Sequence, residues 1–299
     1  MLPNRTCRRV AGEGFRADRR APAARASAAA AWAACAWVAG CAGHSPVERG
    51  IDRGATALQA AFDGAAREER HYAIPVDGIV DVDIETFTGD VVIRGGRATE
   101  GQALMTIDVL ARHGHDRKDE GEASLKEVEV RAEIVRGGDV PRLVIRGTTS
   151  HDEGFLHRTE IDVELPEVRR VRVRTREGKV QVYENRGGCD ILTTDGEVRM
   201  FTPWAISEDV TIVNRGADIV VRAFNGTCGT FDVECVNGRV AARVESGDWR
   251  ILDRRNDHDT LHARLGNCAN RFLLRNVDAA VLVSVVDDPM EYGLLFNHP

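Results

Sequence analysis

The feature of the sequence that most constrains its fold is a glycine turn that returns at regular intervals. Each copy places a small or polar residue before the glycine and alternating apolar residues after it. Glycine supplies the positive φ of a tight reversal, and apolar residues with a period of two predict a half-buried strand. Clear copies end at Gly89, Gly178, Gly196, Gly238 and Gly247. The repeated unit is therefore a turn followed by a short strand.

Beyond residue 170 the turn residues fall into two columns, offset from each other by about ten residues. The first column contains Gly178, Gly196, Gly216 and Gly238, with a further turn at 256–257, and the second contains Gly188, Ser207, Gly226, Gly247 and Gly266. The step within a column is about 20 residues, which predicts an all-β, short-coil parallel β-solenoid over residues 169–288. An antiparallel sandwich of hairpins is the alternative, because it also uses frequent glycine turns.

The chain before the repeats has longer alternating segments and more charged connections. Residues 71–168 predict an N-terminal β region with long strands and charged connections, which caps the open end of the coils. Residues 41–70 predict a polar tether that can include a short helix over 55–67, and 289–299 predict a C-terminal tail. Segment 116–123 is expected to be a loop or one or two helical turns.

The first forty residues predict a signal peptide. Seven arginines precede an Ala-rich apolar stretch at 27–40, which is shorter than the ~20 residues that span a bilayer. The stretch ends in Val-Ala-Gly-Cys at 38–41, which resembles a bacterial lipobox and implies a diacylglycerol thioether on Cys41. Ala42, rather than Asp, favours the outer membrane. An ordinary secretory signal, cleaved near residues 34–36, is the alternative.

Charge excludes one class of partner. Removing the seven arginines and two acidic residues of 1–40 from the totals of 40 and 47 leaves 33 basic and 45 acidic residues, a net charge of −12. Such a surface repels nucleic acid and anionic lipid headgroups. Contact with the membrane is therefore expected through the N-terminal lipid alone.

A family resemblance rests on the order of the motifs. A strand pair with Thr-Phe-Thr-Gly-Asp-Val-Val-Ile at 86–93 is followed by Leu-Lys-Glu-Val-Glu-Val at 125–130, Ile-Asp-Val-Glu-Leu-Pro at 161–166 and then the repeats. Over about 74–286 the chain resembles the bacterial putative adhesin family of unknown function, whose members are envelope proteins with β-solenoid-like repeats. The chain departs from it where Ser-Gly-Asp, frequent at that turn, remains only at 246–248. The resemblance implies location and architecture, but no chemistry.

Histidines in three loops raise the hypothesis of a metal site. His113 and His115 lie in one loop, His151 and His157 flank an acidic loop, and His258 and His262 form a third group. Zinc requires three or four convergent ligands, and the motifs that would complete such a set are absent. The sequence also contains no nucleophile elbow and no phosphate-binding loop. We therefore expect no cofactor, no metal and no catalytic residue.

The spacing of the cysteines predicts whether disulfides can form if the coils stack in sequence order. An exported chain with four cysteines usually forms disulfides. However, Cys189, Cys228 and Cys268 follow the same turn column at steps of about 40 residues, two coils or about 9.6 Å apart, beyond the ~7 Å limit for a disulfide. These three residues and Cys235 are therefore expected to be buried free thiols.

These observations predict a non-enzymatic, lipid-anchored envelope protein whose solenoid is a rigid interaction surface, an adhesin or scaffold. Its partner would be an envelope protein or a polysaccharide, recognised by a ladder of outer side chains such as Lys179, Gln181, Glu197, Arg199 and Arg239. An accessory of an envelope-stress signalling system and a polysaccharide-active β-helix enzyme are the alternatives.

Overall fold

Two β-sheets contain most of the regular structure in the computed structural model, which describes residues 65–98, 101–114, 117–253 and 258–291. These residues belong to one unit, 42–299. In sheet A the spatial order is β1 (Ala65–Pro75), β4 (Gln102–Arg112), β7 (His157–Glu164), β3 (Val91–Arg94), β9 (Val180–Tyr183), β11 (Val198–Thr202), β13 (Ile219–Phe224), β19 (Val281–Val286) and β15 (Val240–Val244).

In sheet B the order is β16 (Trp249–Ile251), β17 (Thr260–Leu265), β14 (Gly229–Val236), β18 (Arg271–Val277), β12 (Val210–Val213), β10 (Cys189–Leu192), β8 (Glu167–Arg174), β2 (Ile79–Glu85), β6 (Arg142–Thr149) and β5 (Val128–Val135). A short helix, α1 (Lys118–Ser124), and two 3-10 turns, Leu125–Glu127 and Gly154–Leu156, lie in the N-terminal half.

Fourteen strands form seven strand pairs, each with one strand in sheet B followed by one in sheet A: β2–β3, β6–β7, β8–β9, β10–β11, β12–β13, β14–β15 and β18–β19. Neighbouring pairs are parallel in both sheets. In sheet B, Val171 lies opposite Cys189 and Cys189 opposite Val210, steps of 18 and 21 residues. The central pairs therefore repeat at about the interval that the glycine columns predict.

The order of the pairs differs from continuous forward winding at two places. The first pair, β2–β3, lies between β6–β7 and β8–β9, and the last pair, β18–β19, lies between β12–β13 and β14–β15. Strands β1, β4, β5, β16 and β17 add antiparallel edges. The architecture is all-β with two mixed sheets, and the prediction that each coil stacks on the one before it is wrong at these two places.

Burial explains why the last pair lies inside the sheets. Strand β19 reads Val-Leu-Val-Ser-Val-Val, and five of its six residues are buried, whereas no residue of β15 is buried and two are exposed. A strand that is apolar on both faces is unfavourable at a sheet edge. The more polar β15 occupies the edge of sheet A instead, and the chain forms β16 and β17 before it returns to β18 and β19.

The inward side chains of both sheets form one hydrophobic cluster of alternating Val, Ile and Leu. Where the C-terminal strands β14, β16 and β18 contribute to this cluster, Phe231 and Phe272 stack with ring centroids 4.3 Å apart. Trp249 packs edge-on against Phe231, with a centroid distance of 5.4 Å. Each fully buried side chain of this size stabilises the fold by roughly 1.5–3 kcal/mol. Trp249 is therefore part of the packing at this end.

The glycine turns stack where the chain passes from sheet B to sheet A. Gly89, Gly178 and Gly196 have φ of +135°, +123° and +133°. A Cβ on Gly178 would lie 2.2 Å from the carbonyl oxygen of Gly89, and one on Gly196 would lie 2.0 Å from that of Gly178. Only glycine permits both the backbone conformation and this approach.

The remaining turn residues differ in detail. Gly216, Gly226, Gly247 and Gly266 also have positive φ, of +86°, +101°, +106° and +64°. At Gly238 the positive φ belongs to its neighbour Asn237, and the constraint is contact, because a Cβ would lie 2.1 Å from the carbonyl oxygen of Ala279.

The predictions for the N-terminal region can be compared with the structure from Ala65 onward, where the described residues begin. Strand β1 begins there, so residues 65–70 of the expected tether, including the end of the helix expected over 55–67, are strand. The segment contains an uninterrupted polar run at 67–71, so it lacks the apolar alternation of a strand, and it is held in place by its pairing with β4. The signal peptide, Cys41 and the turn at 256–257 lie outside the described residues. Within the described ranges, no helix is long and apolar enough to cross a membrane.

The prediction that Cys228 and Cys268 are free thiols is wrong. They form a disulfide with a Cα–Cα distance of 5.5 Å, because β14 and β18, which they precede, are direct neighbours in sheet B. The prediction assumed two coils between them. Cys189 and Cys235 are free and buried, as expected, and burial raises the pKa of both thiols.

Candidate functional site

The outer face of sheet B carries a regular pattern of charged side chains. On β2 the valines and Ile84 point inward, so Asp81 and Asp83 lie on the outer side. On β8 the same alternation places Arg170 and Arg172 outside. The register sets Asp83 beside Arg172, and Arg172 beside Asp190 of β10. Charges of opposite sign therefore alternate across neighbouring strands.

Ion pairs connect this ladder. Asp83 accepts hydrogen bonds from Arg146 Nη1 at 3.1 Å and from Arg172 Nη1 at 3.3–3.4 Å. Asp81 receives both Nε and Nη2 of Arg169, at 2.9 and 2.8 Å. The bidentate geometry orients side chains more firmly than a single contact between flexible groups does.

Asp83 is the most buried carboxylate of the ladder, 5 % exposed. Burial acts against its charged form, but the hydrogen bonds and charges of Arg146 and Arg172 outweigh burial and hold the pKa of Asp83 below its ordinary value. The carboxylate is therefore ionised at neutral pH, and its two arginine partners hold it in place as a hydrogen-bond acceptor on the outer face of sheet B.

A shallow groove of about 690 Å³ crosses this face at the N-terminal ends of the parallel strands. Its floor passes over Gly188, where a Cβ would lie 2.4 Å from the carbonyl oxygen of Asp209. Its charged lining consists of Asp81, Asp83, Asp190, Glu208 and Asp209, together with Arg142, Arg170 and Arg172. No aromatic side chain lines the groove.

The carboxylates of the groove already hold structural contacts. Glu208 pairs with Arg170 and accepts the backbone N–H of Gly188 at 3.2 Å. Asp209 accepts the backbone N–H of Arg271 at 2.8 Å. Arg142 is exposed at the rim and makes no ion pair with another described residue. The arrangement offers alternating donors and acceptors for binding, with Arg142 the most available donor.

The outer ladder expected from the sequence lies on sheet A, and only part of it comes together. Gln181 and Arg199 are neighbours on β9 and β11, and Arg199 Nε donates to Glu197 Oε1 at 2.7 Å. Lys179 precedes β9, whereas Arg239 precedes β15 and is separated from Arg199 by β13 and β19. The sheet B ladder was missed, although Asp-Val-Asp on β2 and Arg-Val-Arg on β8 are its visible signal.

The structure brings two of the three histidine groups together. The ring centroids of His113, His151 and His157 lie 5.0–6.1 Å apart. His113 Nε2 and His157 Nε2 both contact Ser124 Oγ, at 2.7 and 3.1 Å. Among the described residues, no three His, Cys, Asp or Glu side chains are placed to hold a metal ion. His258 and His262 lie elsewhere, at β17, and His115 is outside the described ranges.

Comparisons with known proteins give neighbours of low similarity. No family model matches the chain, and no curated protein matches it. A putative cell adhesion protein from Clostridium sporogenes has 11% identity and a TM-score of 0.41, covering 74% of this chain and 100% of that one. A putative adhesin from Bacteroides fragilis has 11% identity and a TM-score of 0.30, covering 73% and 97%.

A third solved structure, a putative adhesin from Parabacteroides merdae, has 9% identity and a TM-score of 0.17, covering 74% of this chain and 96% of that one. Identity at this level does not transfer a binding partner. The names of these three structures are those of bacterial putative adhesins and a putative cell adhesion protein.

Proposed function

We propose that this chain is a non-enzymatic envelope protein, an adhesin or scaffold, that presents the outer face of sheet B to an extended polar partner. The observation that carries the proposal is the ladder of alternating arginines and carboxylates with its open groove. A stretch of envelope polysaccharide or an extended polar segment of an envelope protein has the matching chemistry.

The spacing of the ladder supports an extended ligand. Neighbouring strands lie about 4.8 Å apart, so each strand offers one donor or acceptor at that interval. The ion pairs fix these groups before binding, which reduces the entropy lost when a partner docks. Because the groove carboxylates are already bonded, the surface suits recognition better than acid–base chemistry.

The proposal includes the finer architecture and the anchor. The central strand pairs act as coils of a short-coil β-solenoid of about 20 residues per coil, the first and last pairs are inserted into this stack, and the antiparallel strands cover its ends. Residues 1–40 are a signal peptide, and a lipid on Cys41 holds the chain in the envelope, on the outer membrane or its periplasmic face. Two or three acyl chains anchor stably, because each buried CH2 contributes ~0.8 kcal/mol.

A binding experiment tests the groove. A biotinylated 42–299 fragment is used to recover partners from solubilised envelopes and from a panel of envelope glycans. The double variant R142E/R170E is compared with R176E/R215E, which makes the same charge change at exposed arginines on the turns.

The groove variant is expected to weaken binding about tenfold or more, as the loss of charged hydrogen bonds implies. The turn variant is expected to bind like the unchanged fragment, with equal thermal unfolding in all three. Equal binding by both variants, recovery of no partner, or cleavage of a glycan by the fragment would contradict the proposal.

A further inference from the structure

Three histidines from separate segments meet at the end of the molecule that holds β1, β4 and β5. His113 follows β4, His157 begins β7, and His151 lies in the loop between β6 and β7. Antiparallel pairing sets Ala111 opposite His157, so His113 lies beside the start of β7. Ser124, the last residue of α1, closes the cluster. Four pieces of the N-terminal region are therefore joined through side chains.

The hydrogen bonds are those of neutral imidazoles. Ser124 Oγ donates its single hydrogen to the carbonyl oxygen of Gly121 at 2.9 Å, so it accepts from Nε2–H of both His113 and His157. The lone pair of His157 Nδ1 then accepts from Thr149 Oγ1 at 2.7 Å. Thr149 Oγ1 in turn accepts the backbone N–H of His151 at 3.2 Å. A second proton on His157 would make Nδ1 a donor, so the Thr149 hydroxyl would have to turn its own hydrogen away and accept instead.

Burial favours the neutral form of these rings. The side chain of His157 is fully buried, and His113 is 8 % exposed with a buried Nδ1 that has no hydrogen-bond partner in the described structure. Among the described residues, no carboxylate is hydrogen-bonded to the ring of His113 or of His157. A positive charge on either ring would lack a hydrogen-bonded counter-ion, a costly arrangement in a buried site.

The charged surroundings of His157 are mixed. His113 and His151 face it from β4 and the β6–β7 loop, and Glu127 lies on the 3-10 turn after α1. Further out, Glu120 of α1 pairs with Arg117, and Asp152 and Glu153 follow His151. Burial, followed by His151 and His113, lowers the pKa of His157 below its ordinary 6.5, whereas Glu127 acts in the opposite direction.

We propose that His113, His151 and His157 form an acid-sensitive clasp, which holds α1 and the β6–β7 loop against the sheets and releases them when His157 is protonated. The direction follows from linkage. The unfolded chain binds a proton near pH 6.5 more readily than the folded chain does, so the stabilisation is complete above pH 6.5 and is lost as pH falls through the folded pKa.

Hydrogen exchange of the full chain between pH 7.5 and pH 5, corrected for the intrinsic pH dependence of exchange, is the first test. Segments 118–128 and 148–158 are expected to lose protection on acidification before β10–β13 do. Histidine NMR titration provides the second test, and His157 is expected to titrate below 6.5. Uniform loss of protection, or titration of His157 at or above 6.5, would overturn the clasp.

A variant series separates the clasp from general acid effects. H157Q stays neutral and can still donate to Ser124, so it is expected to abolish the segment-specific acid response. H71Q changes an exposed histidine on β1, whose side chain is 68% exposed, and is expected to keep the response. If H157Q does not fold, S124A, which removes the shared acceptor, is expected to release α1 already at pH 7.5. Protection that depends on added Zn²⁺ and disappears with a chelator would overturn a proton-driven clasp.

Discussion

At the scale of single residues, the stacked turn glycines leave the least freedom. Gly196 combines a φ of +133° with a Cβ position 2.0 Å from a carbonyl oxygen of the neighbouring turn. We expect Gly196→Ala to lower the free energy of unfolding by at least about 2 kcal/mol, because backbone strain and a steric clash add together. Urea unfolding followed by circular dichroism measures this change.

The control for Gly196 is Gly137→Ala. A Cβ at Gly137 meets no atom within 4 Å, so the substitution is expected to change stability by no more than about 0.5 kcal/mol. Equal effects at the two positions would show that the stacked turns are not a special constraint.

The turn glycines can be recognised in the sequence because the constraint on them is local. A positive φ at a tight turn selects glycine wherever the chain goes next. Asp83 is different: its partner Arg146 is 63 residues away, and its alternation on β2 does not reveal which strand lies beside it. The turns could therefore be predicted, whereas the ladder required the strand order.

At the scale of elements, the Cys228–Cys268 disulfide closes the excursion made by β14 to β17. It joins residues 40 apart in sequence at the start of two neighbouring strands. We expect C228A/C268A to lose about 4 kcal/mol of stability, since the crosslink limits the unfolded chain over a loop of this length. Denaturant unfolding of oxidised protein, reduced protein and the variant measures the loss.

Cys189→Ala, which removes a buried free thiol, serves as the comparison for the disulfide. It is expected to lower stability without making the protein more sensitive to reductant. A reductant effect that persists in C228A/C268A, or peptide mapping that finds both thiols free, would count against the crosslink.

Strand content could be predicted from the sequence better than strand neighbours. The strands predicted after the turns at Gly89, Gly178 and Gly196 correspond to β3, β9 and β11, and the helical turns expected within 116–123 correspond to α1. Alternation with a period of two is a local signal. β14 pairs with β18 instead of β12 because this order buries the apolar faces of the last strand pair. That choice depends on segments far apart in sequence, so a local pattern does not reveal it.

At the scale of the whole molecule, the position of the last strand pair predicts how truncation acts. In a stack wound strictly forward, the final coil could be removed with a modest loss. Here β18 and β19 lie between β12–β13 and β14–β15. We expect a chain ending at residue 268 not to fold cooperatively.

Burial gives the size of this effect. Removal of residues 269–299 takes away Phe272, Leu274, Val281, Val283 and Val285, all buried. At roughly 1.5–3 kcal/mol each, their loss is comparable to the 5–15 kcal/mol total stability typical of a domain. Thermal unfolding and limited proteolysis provide the measurement. A chain ending at Glu291 keeps every described strand and is the control; a sharp transition in the shorter chain would contradict the strand order.

The insertion of β18 and β19 also has a consequence for biosynthesis. A ribosome completes β14 and β15 before it makes the strands that must separate them from β12 and β13. At about 5–20 residues per second, the fifty residues that follow β14 take roughly 3–10 s. During that interval the nascent chain can join β14 directly to β12, an off-pathway register that the final residues have to displace.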